Sequence, residues 1–522
     1  MRTLYFFILF SIFLLTSCRN DFAFEQSSGG LTFSKSTVYL DTIFSNVSSS
    51  TYRLKVYNKS NKDISIPQIR LQKGMNSKFR LMVDGIAGNG KIFNNIEMLA
   101  NDSLFIFIEA TADIASANPT DFLYTDKIEF TNTNSTPQTV DLVTLIQDAY
   151  FIYPEKNASN QFETINLGVD ANNVPLVFRG SNLSRTDPIN GDELHMTKTK
   201  PYVIYSYALV PNNETLIIDK GAKVYFHANS GLIIPRTGTI KVNGDNPPST
   251  NLLSLENEVT FEGDRLEPTF ENTPGQWGAI INYSETNNNL INHLTLKNAT
   301  VGIINQPRLV LTDNYSPKMT INNSKIFNCS NIGILSRNAQ VDGKNIVINN
   351  CGEVSLACTF GGNYTFTQCT FNNSFNSTKQ VALLLNNFLK DTPNTFIPKP
   401  LNNANFNNCI VYGSNQVEIS LDKKDASLFN FNFTNCLLKF NNSSLGGTAL
   451  YDFTNTTYYV NPYIASNSTV FNPKFVNVSK NKFSLSEQWT NLMPASTLFN
   501  FNDINGKPRV APIALGAFQY YP

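Results

Sequence analysis

Between Lys325 and Phe440 one short phrase returns five times: Ile326-Phe327-Asn328-Cys329, Ile348-Asn349-Asn350-Cys351, Phe366-Thr367-Gln368-Cys369, Phe406-Asn407-Asn408-Cys409 and Phe433-Thr434-Asn435-Cys436. An apolar residue stands three places before each cysteine and a carboxamide directly before it. The steps between cysteines are 22, 18, 40 and 27 residues, close to one or two turns of a solenoid of roughly 20 residues per coil. Such a period implies one supersecondary unit stacked on copies of itself. The runs around the phrase are short, apolar and broken by Asn, Gly and Ser, so the units read as strands. Asn at a tight corner tolerates the left-handed backbone, and stacked Asn side chains can hydrogen-bond along the axis. Cysteine beside it is a small, soft hydrophobe for a narrow interior. Leu296-Lys297-Asn298-Ala299 repeats the phrase with Ala in the cysteine place, which supports a packing role.

Buried thiols are therefore expected at Cys329, Cys351, Cys369, Cys409 and Cys436. Disulfides between neighbouring coils stay open as the rival, because an exported chain meets an oxidising compartment. Cys358 lies off the pattern, with Cys351 its nearest partner in sequence. Zinc fits poorly, since no CxxC pair occurs and the chain has only three histidines.

The same pattern extends on both sides. Tyr202-Val203-Ile204-Tyr205, Leu216-Ile217-Ile218, Lys223-Val224-Tyr225-Phe226, Leu232-Ile233-Ile234 and Thr239-Ile240-Lys241-Val242 follow one another, punctuated by Gly221, Gly231, Gly238 and Gly244. These intervals are too short for crossover helices, and a right-handed parallel β-helix over 201–500 satisfies them. The run Leu216 to Gly244, with Trp277-Gly278-Ala279-Ile280 after it, resembles the opening coils of bacterial pectate-lyase-like β-helix proteins. Asp503-Ile504-Asn505-Gly506-Lys507-Pro508-Arg509, followed by Leu515-Gly516-Ala517-Phe518, is similar to the closing segment of such proteins. That resemblance implies a C-terminal cap over the last coil at 501–522, with Asp503 and Arg509 tying it down. From 31 to 150, runs such as Tyr52–Tyr57 and Leu104–Ile108 alternate with turn residues. They predict an antiparallel sandwich and resemble the immunoglobulin-like modules of bacterial surface proteins. Residues 151–200 read as a connecting region. The expected fold is all-β: an N-terminal antiparallel, Ig-like β-sandwich followed by a right-handed parallel β-helix solenoid.

At the N-terminus, Arg2 precedes an apolar run of about a dozen residues, too short for the roughly 20 that span a bilayer. Residues 1–17 fit a secretory signal peptide. Leu15-Thr16-Ser17-Cys18 resembles the lipobox of bacterial lipoproteins, which implies cleavage before Cys18 and lipid attachment to it. Arg19 replaces the Asp of the inner-membrane retention signal, so outer-membrane placement is expected. Residues 18–30, ending in Ser27-Ser28-Gly29-Gly30, form a flexible tether.

A chain of 522 residues is too long for one ordinary core. Its 40 basic and 40 acidic residues balance, which removes the case for a nucleic-acid surface. The β-helix resemblance brings polysaccharide lyases and glycoside hydrolases into view, the former with calcium as cofactor. Glu262-Gly263-Asp264-Arg265-Leu266-Glu267 could supply acid and base, and Trp277 a sugar-stacking ring. The bland reading is a polar loop with internal ion pairs at a coil corner, and it is preferred. Polygalacturonase signatures are absent, and His195, His227 and His293 stand singly. The sequence thus points to a lipid-anchored envelope protein with a binding or structural surface for a polysaccharide or another envelope component, without catalysis, metal or other cofactor. A carbohydrate-active enzyme and an adhesin or assembly partner are the alternatives.

Overall fold

The computed structural model describes residues 23–520 except 117–121, 135, 170–172, 249–250, 252–253, 308–314, 393–394, 426, 443, 446–447, 467–470, 487–500 and 512. Cys18 and the expected signal peptide lie outside the described residues. The chain divides into two compact units, Met1–Asp148 and Ala149–Pro522. Both are built from strands, with no α-helix among the described residues.

The first unit contains two sheets. Thr32–Phe33, Tyr52–Tyr57, Ser103–Ala110 and Phe79–Val83 form a four-stranded antiparallel sheet. Ser103–Ala110 shows how its sequence fits: Leu104, Ile106, Ile108 and Ala110 are buried while Phe105 and Phe107 face outward. The other sheet is centred on Ile64–Leu71, Leu123–Phe130 and Gln138–Gln147. It is mixed rather than purely antiparallel, because Glu25–Gln26, Thr37–Tyr39 and Ile43–Phe44 all join it in parallel. Buried residues from both sheets, among them Leu54, Ile106, Ile69 and Val140, form one cluster.

The second unit is built on two long parallel sheets, consistent with a solenoid. A coil reads as three strands, for example Lys223–Phe226, Gly231–Ile234 and Thr239–Asn243, before Val259–Gly263 begins the next. Strand residues one coil apart pair directly. The column Tyr202, Val224, Phe261, Leu296, Ile326, Ile348, Phe371, Val411, Leu438 runs through nine strands in register. All nine side chains are buried. A second column stacks Phe366, Phe406, Phe433 and Tyr459, with ring centroids 5.5, 4.8 and 5.8 Å apart. Burying each such ring contributes roughly 1.5–3 kcal/mol.

Parallel pairing begins earlier than the sequence suggested. Tyr150–Ile152, Pro175–Asn182 and His195–Met196 pair with strands of the following coil, so the stretch read as a connecting region carries the first coil.

The repeated phrase proves to mark two corners rather than one. Asn298, Asn328 and Asn350 lie at the ends of neighbouring strands of one sheet, and Cys329 pairs with Cys351 across adjacent coils. Gln368, Asn408 and Asn435 occupy the opposite corner, in line with His293, Asn323, Asn345 and Asn461. All ten have left-handed backbones, with φ between 48° and 67°, which Asn adopts at lower cost than most residues. Amides link the coils at both corners: Asn350 Nδ2 donates to Asn328 Oδ1 at 2.8 Å, and Asn345 Nδ2 to Asn323 Oδ1 at 2.8 Å. The 18-residue step from Cys351 to Cys369 therefore joins different corners. The 40-residue step is one coil, not two, because Thr367 pairs with Asn407. Its extra length is an antiparallel hairpin, Phe388–Thr392 with Thr395–Pro398. The six cysteines of the solenoid are buried, unpaired thiols.

Among its described residues, the C-terminal segment does not lie across the end of the last coil. It lies as a strap along the flank, over several coils. Phe483, Ile504 and Ala517 pack on Phe327 and Val347, while Leu485, Ala514 and Leu515 pack on Ile410, Leu437 and Ala465. Arg509 Nη2 donates to Asn345 Oδ1 at 2.7 Å and to the carbonyls of Gly516 and Ala517 at 3.1 Å each. Asp503 accepts from the backbone amides of Asn505, Lys507 and Gln519. Gly516, at φ 79°, approaches Thr370 so closely that a Cβ would lie 2.5 Å from Oγ1. Arg509→Met removes a buried charged donor from three acceptors and is expected to cost about 2–3 kcal/mol. Denaturant unfolding of the full chain, with proteolysis after residue 470, checks this; unchanged stability and cleavage would show that the strap is not held by Arg509.

Candidate functional site

The acidic stretch suspected of chemistry lies on strand Val259–Gly263 and the corner after it, where two of its charged residues bridge coils and two pair locally. Glu262 Oε2 pairs with Lys297 Nζ of the next coil at 2.6 Å. Asp264 Oδ2 pairs with His227 Nδ1 of the preceding coil at 2.7 Å, and this contact holds the His227 imidazole above its usual pKa. Arg265 pairs with Glu267 at 3.1 Å and lies over the Phe270 ring at 3.9 Å. Trp277 is 1% exposed. Its ring stacks on Phe226 at 4.1 Å with an 11° interplanar angle, and Nε1 donates to the Lys297 carbonyl at 3.0 Å. The proposed sugar platform is thus a core residue, and the two carboxylates beside it are engaged by neighbouring coils. The other histidines are structural in setting: His195 pairs with Asp219 at 2.9 Å, and His293 is buried at a left-handed corner, with burial pulling its pKa down. No group of three or more His, Cys, Asp or Glu side chains is placed to hold a metal among the described residues.

A groove of about 320 Å³ lies elsewhere on the solenoid. One side is the hairpin Thr164–Val169 with Pro175–Asn182, which supplies Asn166, Leu167 and Gly168. The floor and opposite side come from one corner of successive coils: Leu209 and Asn212, then Pro235 and Arg236, then Tyr283, with Tyr315 alongside. Register explains their convergence, because Leu209 pairs with Ile233 and Ile233 with Ile281. Leu167, Leu209 and Tyr283 pack with Ile165, Ile233, Tyr207 and Ile281 into a small apolar cluster that fixes the hairpin to the coils. Asn166 Oδ1 accepts from Gly168 N at 2.8 Å, and Asn212 Oδ1 from Thr237 Oγ1 at 3.1 Å. Arg236 lies 4.4 Å from the centroid of the Tyr315 ring. A larger hollow of about 470 Å³, on the first unit, is lined by the short loop Ala87–Gly90 and by Met82, Phe107, Arg80 and Glu109. Its base is a single strand pair. The solenoid groove rests on stacked coils and combines aromatic edges with side-chain amides, the composition of a preformed small-molecule site. Nothing in the sequence singled out these residues, which come from positions 166 to 315 and meet only through coil register.

No protein-family model matches this chain, and no curated protein matches it. Solved structures with local likeness include the periplasmic chaperone SfaE, at 13% identity over 23% of this chain and 58% of the chaperone, with a TM-score of 0.16. A family 123 glycoside hydrolase from Clostridium perfringens matches at 9% identity over 23% of this chain and 30% of that one, TM-score 0.16. The PapD-like domain 7 of human CEP192 matches at 11% identity over 26% of this chain and 96% of that domain, TM-score 0.16. This chain therefore spans little more than half of the chaperone and under a third of the hydrolase, and likeness at these TM-scores carries no argument about fold or function.

Proposed function

We propose that this chain is a lipid-anchored protein of the bacterial outer envelope whose solenoid, a right-handed β-helix of pectate-lyase-like type, binds a glycan without transforming it. The Ig-like N-terminal module serves as a spacer between Cys18 and the binding surface. The observation that carries this reading is the groove at Asn166, Asn212, Arg236, Tyr283 and Tyr315, where amides, a guanidinium and aromatic edges meet on a rigid base. Sugars suit such a surface, since their hydroxyls need fixed donors and acceptors while their C–H faces cover apolar rings. The engagement of Glu262, Asp264, Arg265 and Glu267 in coil-to-coil and local pairs weighs against catalysis there.

Calorimetric titration with neutral and acidic oligosaccharides tests the binding. Wild type is expected to bind at least one class, and the Asn166→Ala/Asn212→Ala double variant to bind it about tenfold or more weakly. Absence of binding by wild type, or equal binding by both proteins, would contradict the reading. The anchor is tested separately by detergent phase partition. Wild type should enter the detergent phase and Cys18→Ala the aqueous phase, and a wild type found wholly in water would remove the anchor.

A polysaccharide lyase is the second reading, and His227 is what favours it: Asp264 holds Nδ1 of a half-exposed imidazole. Turnover of an acidic polysaccharide that His227→Gln abolishes would establish it.

A further inference from the structure

The charge state of the groove decides which glycans it can accept. Arg236 is the one ionisable cation among the described residues that line the groove, and Glu285 compensates its charge. Glu285 grips it twice: Nε lies 3.1 Å from Oε1 and Nη2 lies 3.1 Å from Oε2. The backbone reinforces this, because Glu285 N donates to the Arg236 carbonyl at 3.1 Å across adjacent coils. The Tyr315 ring covers the guanidinium at 4.4 Å. This bidentate arginine–carboxylate pair occupies the Nε–Nη2 edge, one of the two edges through which a guanidinium meets a carboxylate, and leaves a negative charge beside the other. An acidic sugar would have to displace Glu285 or lie beside its negative charge.

We infer that Glu285 is a specificity-determining residue that sets the groove for uncharged glycans by occupying the Nε–Nη2 edge of Arg236 and neutralising its charge. The inference rests on the glycan-binding reading above. Glu285 itself is outside the lining, so its effect runs through Arg236 and not through contact with the sugar.

The test compares a neutral oligosaccharide with its uronic-acid counterpart of equal length, on the full chain, by calorimetry at low and moderate salt. Wild type is expected to favour the neutral sugar. Glu285→Gln removes the compensating charge and one of the two acceptors while keeping the size of the side chain, and should shift the preference toward the acidic sugar by about tenfold or more. That gain should shrink as salt screens it. Glu285→Asp, which preserves the charge, should stay close to wild type. Equal or stronger binding of the acidic sugar by wild type would overturn the inference while leaving glycan binding intact, as would a Glu285→Gln protein with unchanged preference. Failure of wild type to bind either sugar would defeat the underlying reading as well. Thermal unfolding of each variant separates loss of fold from loss of preference.

Discussion

Replacing Trp277 by Ala is expected to destabilise the solenoid by about 3–5 kcal/mol. The ring lies flat on Phe226, which also meets Phe261 edge-on at 5.6 Å. Its indole nitrogen is bonded to the Lys297 carbonyl, and its backbone bridges to Ala299 of the next coil. Strands Lys223–Phe226 and Leu294–Lys297 therefore meet at this one side chain, and the stacked sheets on either side cannot close over the cavity that alanine leaves. Trp277→Phe keeps the stack and loses the hydrogen bond, so its cost should be nearer 1–2 kcal/mol. Urea unfolding of the full chain measures both, with the solenoid transition followed separately because two units need not unfold together. A loss below about 1 kcal/mol for Trp277→Ala would mean that the ring is not part of the core.

The second large effect is a pH dependence centred on Glu418. This side chain has no exposed surface. Asn415 N donates to Oε1 at 2.7 Å, but Oε2 has no hydrogen-bond partner in the structure. Burial pushes the carboxyl up to about 8, against the opposing influence of the Asn415 amide and of Lys439. The sign follows directly. Below the ordinary carboxylate range both folded and unfolded chains carry the proton, and the site costs nothing in charge. Between about 4.5 and about 8 the unfolded chain has released the proton while the folded chain keeps it, so stability falls as pH rises through that window. The total loss is on the order of 4–5 kcal/mol for a shift of this size. Glu418→Gln, a neutral isostere, should remove this component. The difference between wild type and Glu418→Gln across pH 5–9 isolates it from the histidines, of which His227 adds to the fall and His293 opposes it. A difference that stays flat with pH would show that Glu418 is not protonated in the fold.

Much of the solenoid was legible because its corners make a chemical demand that few residues meet. A left-handed corner inside a stack of coils favours Asn, so Asn298, Asn328, Asn350, Asn408 and Asn435 announce it. Spacing alone could not say which corner each occupied, and so the Cys351 to Cys369 step looked like a coil and the hairpin at Phe388–Pro398 looked like a second one. Trp277 drew notice as a binding residue because it follows the acidic stretch Glu262 to Glu267 in the sequence. Only the register with Ala299 places it inside. Glu418 sits between Val417 and Ile419 with nothing local to mark it as buried. The strap was recognisable as a terminal motif, yet its resting place depends on Asn345, Thr370 and Asn408, which lie more than a hundred residues away. The groove was illegible for the same reason: Asn166, Asn212, Arg236 and Tyr283 belong to different coils and share no motif.

Hydrogen–deuterium exchange with and without a bound oligosaccharide tests the binding groove most directly. Protection is predicted in the peptides carrying 166–168, 209–212, 235–236, 283 and 315, with no change at 262–270. Protection confined to 262–270 around His227, or to the first unit near Met82 and Phe107, would contradict the placement of the site.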